Sequence, residues 1–470
     1  TIQDPIGGRL NAITLVMPGS REKVATIRKM AGCVKNRSFE NDLYRRLRRS
    51  LDEVRIVDAH EHLQRESELP GDRAHIGRFF IHYASCDLVS AGMPASDMAA
   101  LQDGANGFSP IERWKLLEPW IRRAWNTGYM EAIRIALRDL YEVEDFSADT
   151  VEELTDRMRR QLRPGFTRKV FDRAGIEFAM NHPFGPRQIF NPDFRFDCFI
   201  VDMVDGFTSF PLAQLAAESG REILSLDDYV EVMELYFDRY GRAAGAFKVG
   251  RAYDRPLEWE DVPRSAVEKT FLRLLAFNDR PDRREMRALE DYIMHQLCRL
   301  CGEYGIRMKF HTGIQEGNGN VITNSRAALM CNLFMKYPRT GFDIFHISYP
   351  YEEELAVLAK NFPNVTVDFS WMWIINPAAG RRALSDMLDT VPYSKIHGFG
   401  GDYIFAEGVY GHAMIARREI ARVLCEKVEE GRFTEEQAVE IGGALLRDNA
   451  IANFGLQSRR EAFRPLSGER

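Results

Sequence analysis

Eight short apolar, β-branched runs alternate with longer stretches of helical period, and this pattern predicts an α/β protein built on a parallel sheet. The runs show little polar alternation, as strands buried on both faces do. The last two strand-to-strand intervals are each under about 30 residues, the size of one β-α-β unit. Eight such units point to a closed (β/α)8 barrel, the TIM-barrel architecture, rather than an open sheet.

In chain order, residues 1–53 read as an N-terminal helical arm, with helical pattern over 20–53. Its basic cluster of Arg45, Arg46, Arg48 and Arg49 reads as a solvated helix face. Within it, Leu10–Met17 is a short apolar run flanked by Asp4 and Arg9, with no small-residue cleavage site after it, so it is not read as a signal peptide. The expected strands are Val54–Asp58, Ile176–Met180, Cys198–Met203, Ala244–Val249, Arg307–Phe310, Phe342–Ile347, Val365–Phe369 and Lys395–Phe399. The long interval after the first strand, residues 63–175, carries helical patterns at Pro110–Ala124, Tyr129–Tyr141 and Thr150–Gln161. It is expected to form a helical insertion capping one end of the barrel. Further helices are expected at Arg284–Tyr304, Tyr351–Asn361 and Ala378–Leu388, with a final one at Thr434–Phe454 closing at Gly455. The barrel then spans residues 54–456, with 457–470 as a C-terminal tail.

Composition narrows the function classes. The chain has 470 residues, with 63 Lys plus Arg against 69 Asp plus Glu, so no basic footprint for nucleic acid is present. No apolar run approaches the ~18 residues of a membrane span. The 7 cysteines are an odd count spread along the chain, which suggests thiols rather than a disulfide framework. Cys298 and Cys301 are spaced as Cys-x-x-Cys but sit inside a helical pattern without a second pair, and read as buried thiols. A cytoplasmic enzyme with a small-molecule substrate, no nucleic-acid partner and no membrane partner is expected. Large barrel enzymes in general suggest a homo-oligomer.

The sharpest motif is Val57-Asp58-Ala59-His60-Glu61-His62. Histidines two apart on a strand point the same way, so His60 and His62 can reach one metal ion. Glu61 points the other way and receives no catalytic role. His311 ends the fifth run, His346 lies on the sixth, and Asp402 follows the eighth. Barrel active sites sit at the C-terminal ends of strands, so these five residues together indicate a metal-centred site.

This set resembles the amidohydrolase superfamily. The phrases Phe310-His311-Thr312-Gly313 and Gly400-Gly401-Asp402-Tyr403 are similar to its second amidohydrolase family, which contains aromatic-acid decarboxylases, lactonases and hydrolases. Ala246-Phe247-Lys248-Val249 with Ala252-Tyr253 is similar to the amidohydrolase domain fused to glutamine synthetase-like proteins. The total length and Asn181-His182-Pro183 resemble uronate isomerases.

The resemblance implies His60, His62 and Asp402 as metal ligands, with His311 as a further one. It implies that His346 helps position or deprotonate a metal-bound water, and that Asp402 accepts its proton and passes it to the leaving group. Lys248 is either a carboxylated bridge between two metals or an amine contacting substrate. One divalent ion is preferred over two; zinc is expected, with manganese or iron as alternatives. Arg65 after the first strand and Arg251 and Tyr253 after the fourth are candidate substrate contacts, since an arginine fork suits a carboxylate. Trp371 and Trp373, after the seventh strand, could wall a ring or sugar. Gln315–Asn320 reads as a polar loop able to order over the substrate.

The expected activity is metal-dependent hydrolysis of a small carboxylated or polar molecule by a metal-activated water, with Asp402 as general base and acid. Non-oxidative decarboxylation and a uronate-isomerase-like reaction at the same centre are the alternatives, the second disfavoured by His346. A non-catalytic barrel domain is opposed by the intact set of five residues.

Overall fold

A computed structural model describes residues 41–182, 198–276 and 281–466. Residues 1–40, including the Leu10–Met17 run and most of the expected arm, lie outside the described residues, as does Pro183.

Parallel pairing builds the barrel. The strands are β1 (Ile56–Glu61), β2 (Ile176–Asn181), β3 (Phe199–Val201), β4 (Met203–Val204), β5 (Phe247–Val249), β6 (Met308–Phe310), β7 (Phe342–Ile344), β8 (Val365–Asp368) and β9 (Ile396–His397). They pair in sequence, β1 with β2 and β2 with β3, then each with the next from β4 through β9. The expected third strand is broken at Asp202 into β3 and β4. The break is bridged, because Asp202 N–H donates to Asn181 O (3.1 Å) and Gly245 N–H to Val201 O (3.0 Å). The other seam closes where Ala59 N–H donates to Phe399 O (3.1 Å) and Asp402 N–H to His60 O (2.9 Å). Eight strand positions therefore form the (β/α)8 barrel the sequence predicts.

Two strand ends differ from expectation in a way that matters. β1 begins at Ile56 and runs through Glu61, so His60 lies inside the strand. β7 stops at Ile344, and His346, Ile347 and Ser348 follow in left-handed backbone (φ 57°, 45° and 56°). The last strand is reduced to Ile396–His397, with Lys395 in a preceding 3-10 turn.

Between β1 and β2 the cap is helical. Pro110–Ala124 starts as its sequence dictates: Ser109 and Glu112 form a reciprocal capping box, and Pro110 occupies the first turn. Gly128–Tyr141 and Val151–Gln161 follow, preceded by the short Tyr83–Ser90 helix. The cap is fastened to the barrel helix Ala406–Glu429, an element the sequence reading did not anticipate. There Glu407, fully buried, accepts from Arg78 (3.2 Å) and from the Tyr141 hydroxyl (2.9 Å). At the opposite end, the Asp42–Glu53 helix of the arm is clipped by Arg417, whose guanidinium donates to the Leu51, Val54 and Ala174 carbonyls.

The expected Thr434–Phe454 helix is three pieces. Glu435–Gly443 and Asn449–Phe454 flank a π-helical turn, Ala444–Asp448, and Gly455 closes the last with φ 61°. Residues 457–466, expected as tail, continue as part of the helix Leu456–Leu466. Its Arg459 donates to the Gly241, Ala244 and Gly305 carbonyls. Cys298 and Cys301 are buried free thiols. Among the described residues, no helix is long and apolar enough to cross a membrane.

Candidate metal centre

The candidate metal centre lies at the β1–β9 seam. His60 and His62 project from the end of β1, and Asp402 comes from the loop after β9. Gly400 and Gly401 let that loop lie flat: a Cβ at either would stand 1.9 Å from Ser370 Oγ or Glu61 Oε1. Asp402 itself adopts φ 58°, as His346 and Trp371 adopt 57° and 66°. Left-handed backbone at three non-glycine residues around one point is the kind of strain that functional sites hold. Glu61 anchors the arrangement, its Oε2 accepting from Tyr403 N–H at 2.8 Å. Beside it Asp58 Oδ1 accepts from the N–H groups of His60 and Gly401, each at 3.1 Å.

Three ligand atoms converge. His60 Nε2 and His62 Nε2 are 3.1 Å apart, and Asp402 Oδ1 lies 3.4 and 3.3 Å from them. Ligand atoms bonded at ~2.0–2.1 Å in a tetrahedron are separated by about 3.3 Å, so the spacing suits one divalent ion. The tautomers suit it too. His62 Nδ1 donates to His182 O at 2.7 Å, which leaves the Nε2 lone pair facing the centre. Burial, reinforced by the Lys248 charge, holds His60 well below the usual imidazole range, so it is neutral and able to ligate. Burial alone would raise the Asp402 carboxyl, but His60, His62 and His346 around it hold it well below the usual range. His182 completes a group of three imidazoles with His60 and His62 whose ligand atoms lie within 4.8 Å of one another. In sequence His182 stands out only as part of Asn181-His182-Pro183, with no spacing that marks it as a ligand.

His311 and His346 form a second pair beside this cluster. His346 Nδ1 donates to Ser370 O (2.8 Å) and His311 Nε2 donates to Ile314 O (3.0 Å). A carbonyl can only accept, so each neutral ring presents its bare nitrogen, and these nitrogens face each other at 3.3 Å. Asp402 Oδ2 stands 3.6 Å from His346 Nε2. A proton, a hydroxyl hydrogen or a cation fits among these acceptors. His311, expected as a further ligand of the first ion, meets His346 through this contact. Burial lowers His346 to about 4.

Lys248 reaches the same point from β5. Its Nζ is 2.9 Å from His60 Nε2 and 4.2 Å from the Phe345 ring centre, and burial lowers it to about 8.

The expected substrate contacts divide. Trp371 is at the site, edge-on to His346 at 5.1 Å and stacked on Tyr83 at 4.1 Å. Tyr253 packs on His311 at 4.8 Å. Trp373 does not belong there. It is fully buried, stacks on Phe369 (5.1 Å), and spends its indole N–H on Gly398 O (2.8 Å). Arg251 is already paired with Glu290 (3.0 Å) and Asp254 (3.2 Å), so its fork is committed within the protein. Arg65 is half-buried in the turn after β1, its N–H donating to Glu68.

A closed (β/α)8 barrel with histidines and an aspartate converging at the C-terminal ends of its strands defines a class of enzymes built to hold a divalent metal. Residues 227–456, just under half of the chain, match the amidohydrolase family, and the barrel around them is of the kind that superfamily uses. It is 23% identical over 449 residues to the uronate isomerase of Corynebacterium efficiens, covering 85% of this chain and 92% of that one. It is 26% identical over 181 residues to protein fluG of Emericella nidulans, covering 37% of this chain and only 21% of that protein. Among solved structures, the uronate isomerase of Thermotoga maritima superposes with a TM-score of 0.70 at 15% identity, covering 88% of this chain and 98% of that one.

Proposed function

We propose that this chain is a metal-dependent isomerase of the uronate-isomerase type, moving a proton between adjacent carbons of a small polyhydroxylated carbonyl compound. The supporting observation is the extent of the likeness: it runs through 92% of a uronate isomerase and 85% of this chain, whereas the likeness to protein fluG covers 181 residues. This departs from the hydrolase reading that the family's usual chemistry suggested.

His60, His62 and Asp402 would hold the metal. A divalent ion there would polarise a carbonyl or hydroxyl oxygen of the substrate and make the neighbouring proton easier to remove. Asp402 Oδ2 and His346 Nε2, 3.6 Å apart, are adjacent acceptors that can take that proton and hand it back one carbon along. His311 Nδ1, bare by its tautomer, accepts a substrate hydroxyl. Lys248, brought to about 8, can donate to the carbonyl oxygen as charge develops on it.

The test is incubation of metal-loaded protein with D-glucuronate and D-galacturonate in deuterated water, followed by NMR. Conversion of aldose to ketose, lost in His60→Ala and Asp402→Asn, is the expected result. Hydrolysis of lactones or N-acyl amino acids by the same preparation, with the uronates untouched, would restore the hydrolase reading.

A further inference from the structure

A cavity of about 350 Å³ lies between the Tyr83–Ser90 helix of the cap and the loop that follows β6, and its Trp371 wall stands edge-on to His346 of the candidate metal centre at 5.1 Å. One wall is aromatic. Trp371 and Tyr129 line it, and Tyr83 stacks between them, 4.1 Å from Trp371 at 16° and 5.4 Å from Tyr129 at 20°. Asp87 enters from the cap helix and Glu316 from the loop. Gln315, only 5% exposed, lines the same space, and its Oε1 meets no donor. The loop is pinned in place: Asn318 Nδ2 donates to Cys86 O (3.2 Å), and Glu316 N–H to the Tyr253 hydroxyl (3.0 Å).

Three isoleucines and the small or neutral side chains of Cys86, Ser90, Asn318 and Asn320 complete the wall, and the groups in it that discriminate by charge are two carboxyls, one unused amide oxygen and π faces. Among the described residues no Lys or Arg lines it, and Arg65 and Arg251 are elsewhere. Every one of these groups attracts a cation, and the two carboxyls repel an anion in a place where water screens poorly. Burial raises both the Asp87 and the Glu316 carboxyl, a desolvation cost that a bound cation would relieve. The cation facing the reaction, Lys248, is on the floor beside His60, so the two ends of the site carry opposite charge preferences.

We propose that this cavity receives an ammonium group at the end of the substrate remote from the metal, making the substrate class an amino-substituted polyhydroxy carbonyl compound rather than a simple uronate. The assignment rests on the reading that the reacting carbons sit at the metal centre.

Three probes that differ only at C6 test it: 6-amino-6-deoxy-D-glucose, D-glucose and D-glucuronate, each titrated calorimetrically into the metal-loaded full chain. The amino sugar should bind at least about tenfold more tightly than glucuronate, with glucose between them. Asp87→Asn and Glu316→Gln should each weaken amino-sugar binding at least about fivefold while leaving glucose within about twofold. The wild-type ranking needs no variant and so survives any folding defect in one. Glucuronate binding as tightly as the amino sugar, no binding by any of the three, or variants that leave the ranking intact would overturn the assignment. Isomerisation is scored separately by NMR. Turnover and preference for glucuronate sinks the ammonium assignment and leaves the isomerase reading; amino preference without aldose–ketose conversion does the reverse.

Discussion

Lys248 decides how many ions the centre holds. Its Nζ touches His60 Nε2, and burial brings it to about 8, so it is poised either as an amine for the substrate or as a carboxylated bridge. The spacing of His60, His62 and Asp402 is already complete for one ion. Lys248→Met should therefore keep close to one equivalent of metal by atomic spectroscopy while turnover falls about tenfold or more; loss of metal in that variant would establish the bridge. His60→Ala and Asp402→Asn should each cost at least about 100-fold in metal affinity, since even groups behind the ligands cost 10–100-fold. The tryptophans make a complementary pair. Trp373→Phe leaves the buried Gly398 carbonyl without its donor and should lower stability by about 1–3 kcal/mol with KM unchanged. At this scale the five residues at strand ends were legible because strand alternation and barrel polarity fix where such side chains go. The roles of Trp373 and Arg251 were not, because both follow a strand in sequence while their partners, Gly398 and Glu290, lie 25 and 39 residues away.

Elements were legible where one face of them meets water. Pro110–Ala124 carries its cap box and an apolar stripe, and its sequence-derived boundaries match the structure. Ala406–Glu429 escaped notice for the opposite reason: buried side chains lie all round it, among them Glu407, His412, Arg417 and Glu419, so no amphipathic period marks it. It is sandwiched between cap and barrel, and its Gly411 shows how closely. A Cβ there would lie 2.0 Å from the Ala132 carbonyl oxygen of the Gly128–Tyr141 helix. Gly411→Ala should thus destabilise by about 1–3 kcal/mol, although alanine is worth about 1 kcal/mol over glycine in a free helix. Gly443, helical with nothing near its missing Cβ, is the matched contrast. Gly443→Ala should stabilise by about 0.5–1 kcal/mol in the same denaturant titration. Equal effects at both positions would show that the two helices do not approach as described. The break at Asp202 was likewise invisible, since the run Cys198–Met203 is apolar on both sides of it and only the Asn181 and Val201 carbonyls, reached by backbone donors, reveal the step.

For the whole molecule, the metal centre and the barrel closure are one problem. Of the three proposed ligands, His60 stands on β1, His62 directly after it and Asp402 on the loop after β9, so an ion held by them would tie together the two strands at the seam. The direct backbone bonds there are few: Ala59 to Phe399, Asp402 to His60, and His62 to Tyr403. The same seam gathers lone pairs of His60, His62, His311, His346 and Asp402 in a buried space, which an ion bound there would satisfy together. Ion binding should therefore stabilise the fold as a whole. At free metal about 1,000-fold above Kd the gain is about 4 kcal/mol. With roughly 2 cal/mol/K of unfolding entropy per residue, that is a rise of about 4 °C in Tm for a chain of this length. Chelation should lower Tm by that amount in wild-type protein and should leave Asp402→Asn nearly unmoved, because that variant has already lost one side of the seam. Hydrogen exchange locates the effect: the amides of Ala59, His62 and Asp402 should exchange faster in the chelated protein, while those of the β5–β6 pair keep their protection. Uniform loss of protection around the barrel would mean that the ion stabilises the protein without acting as the fastener of its seam.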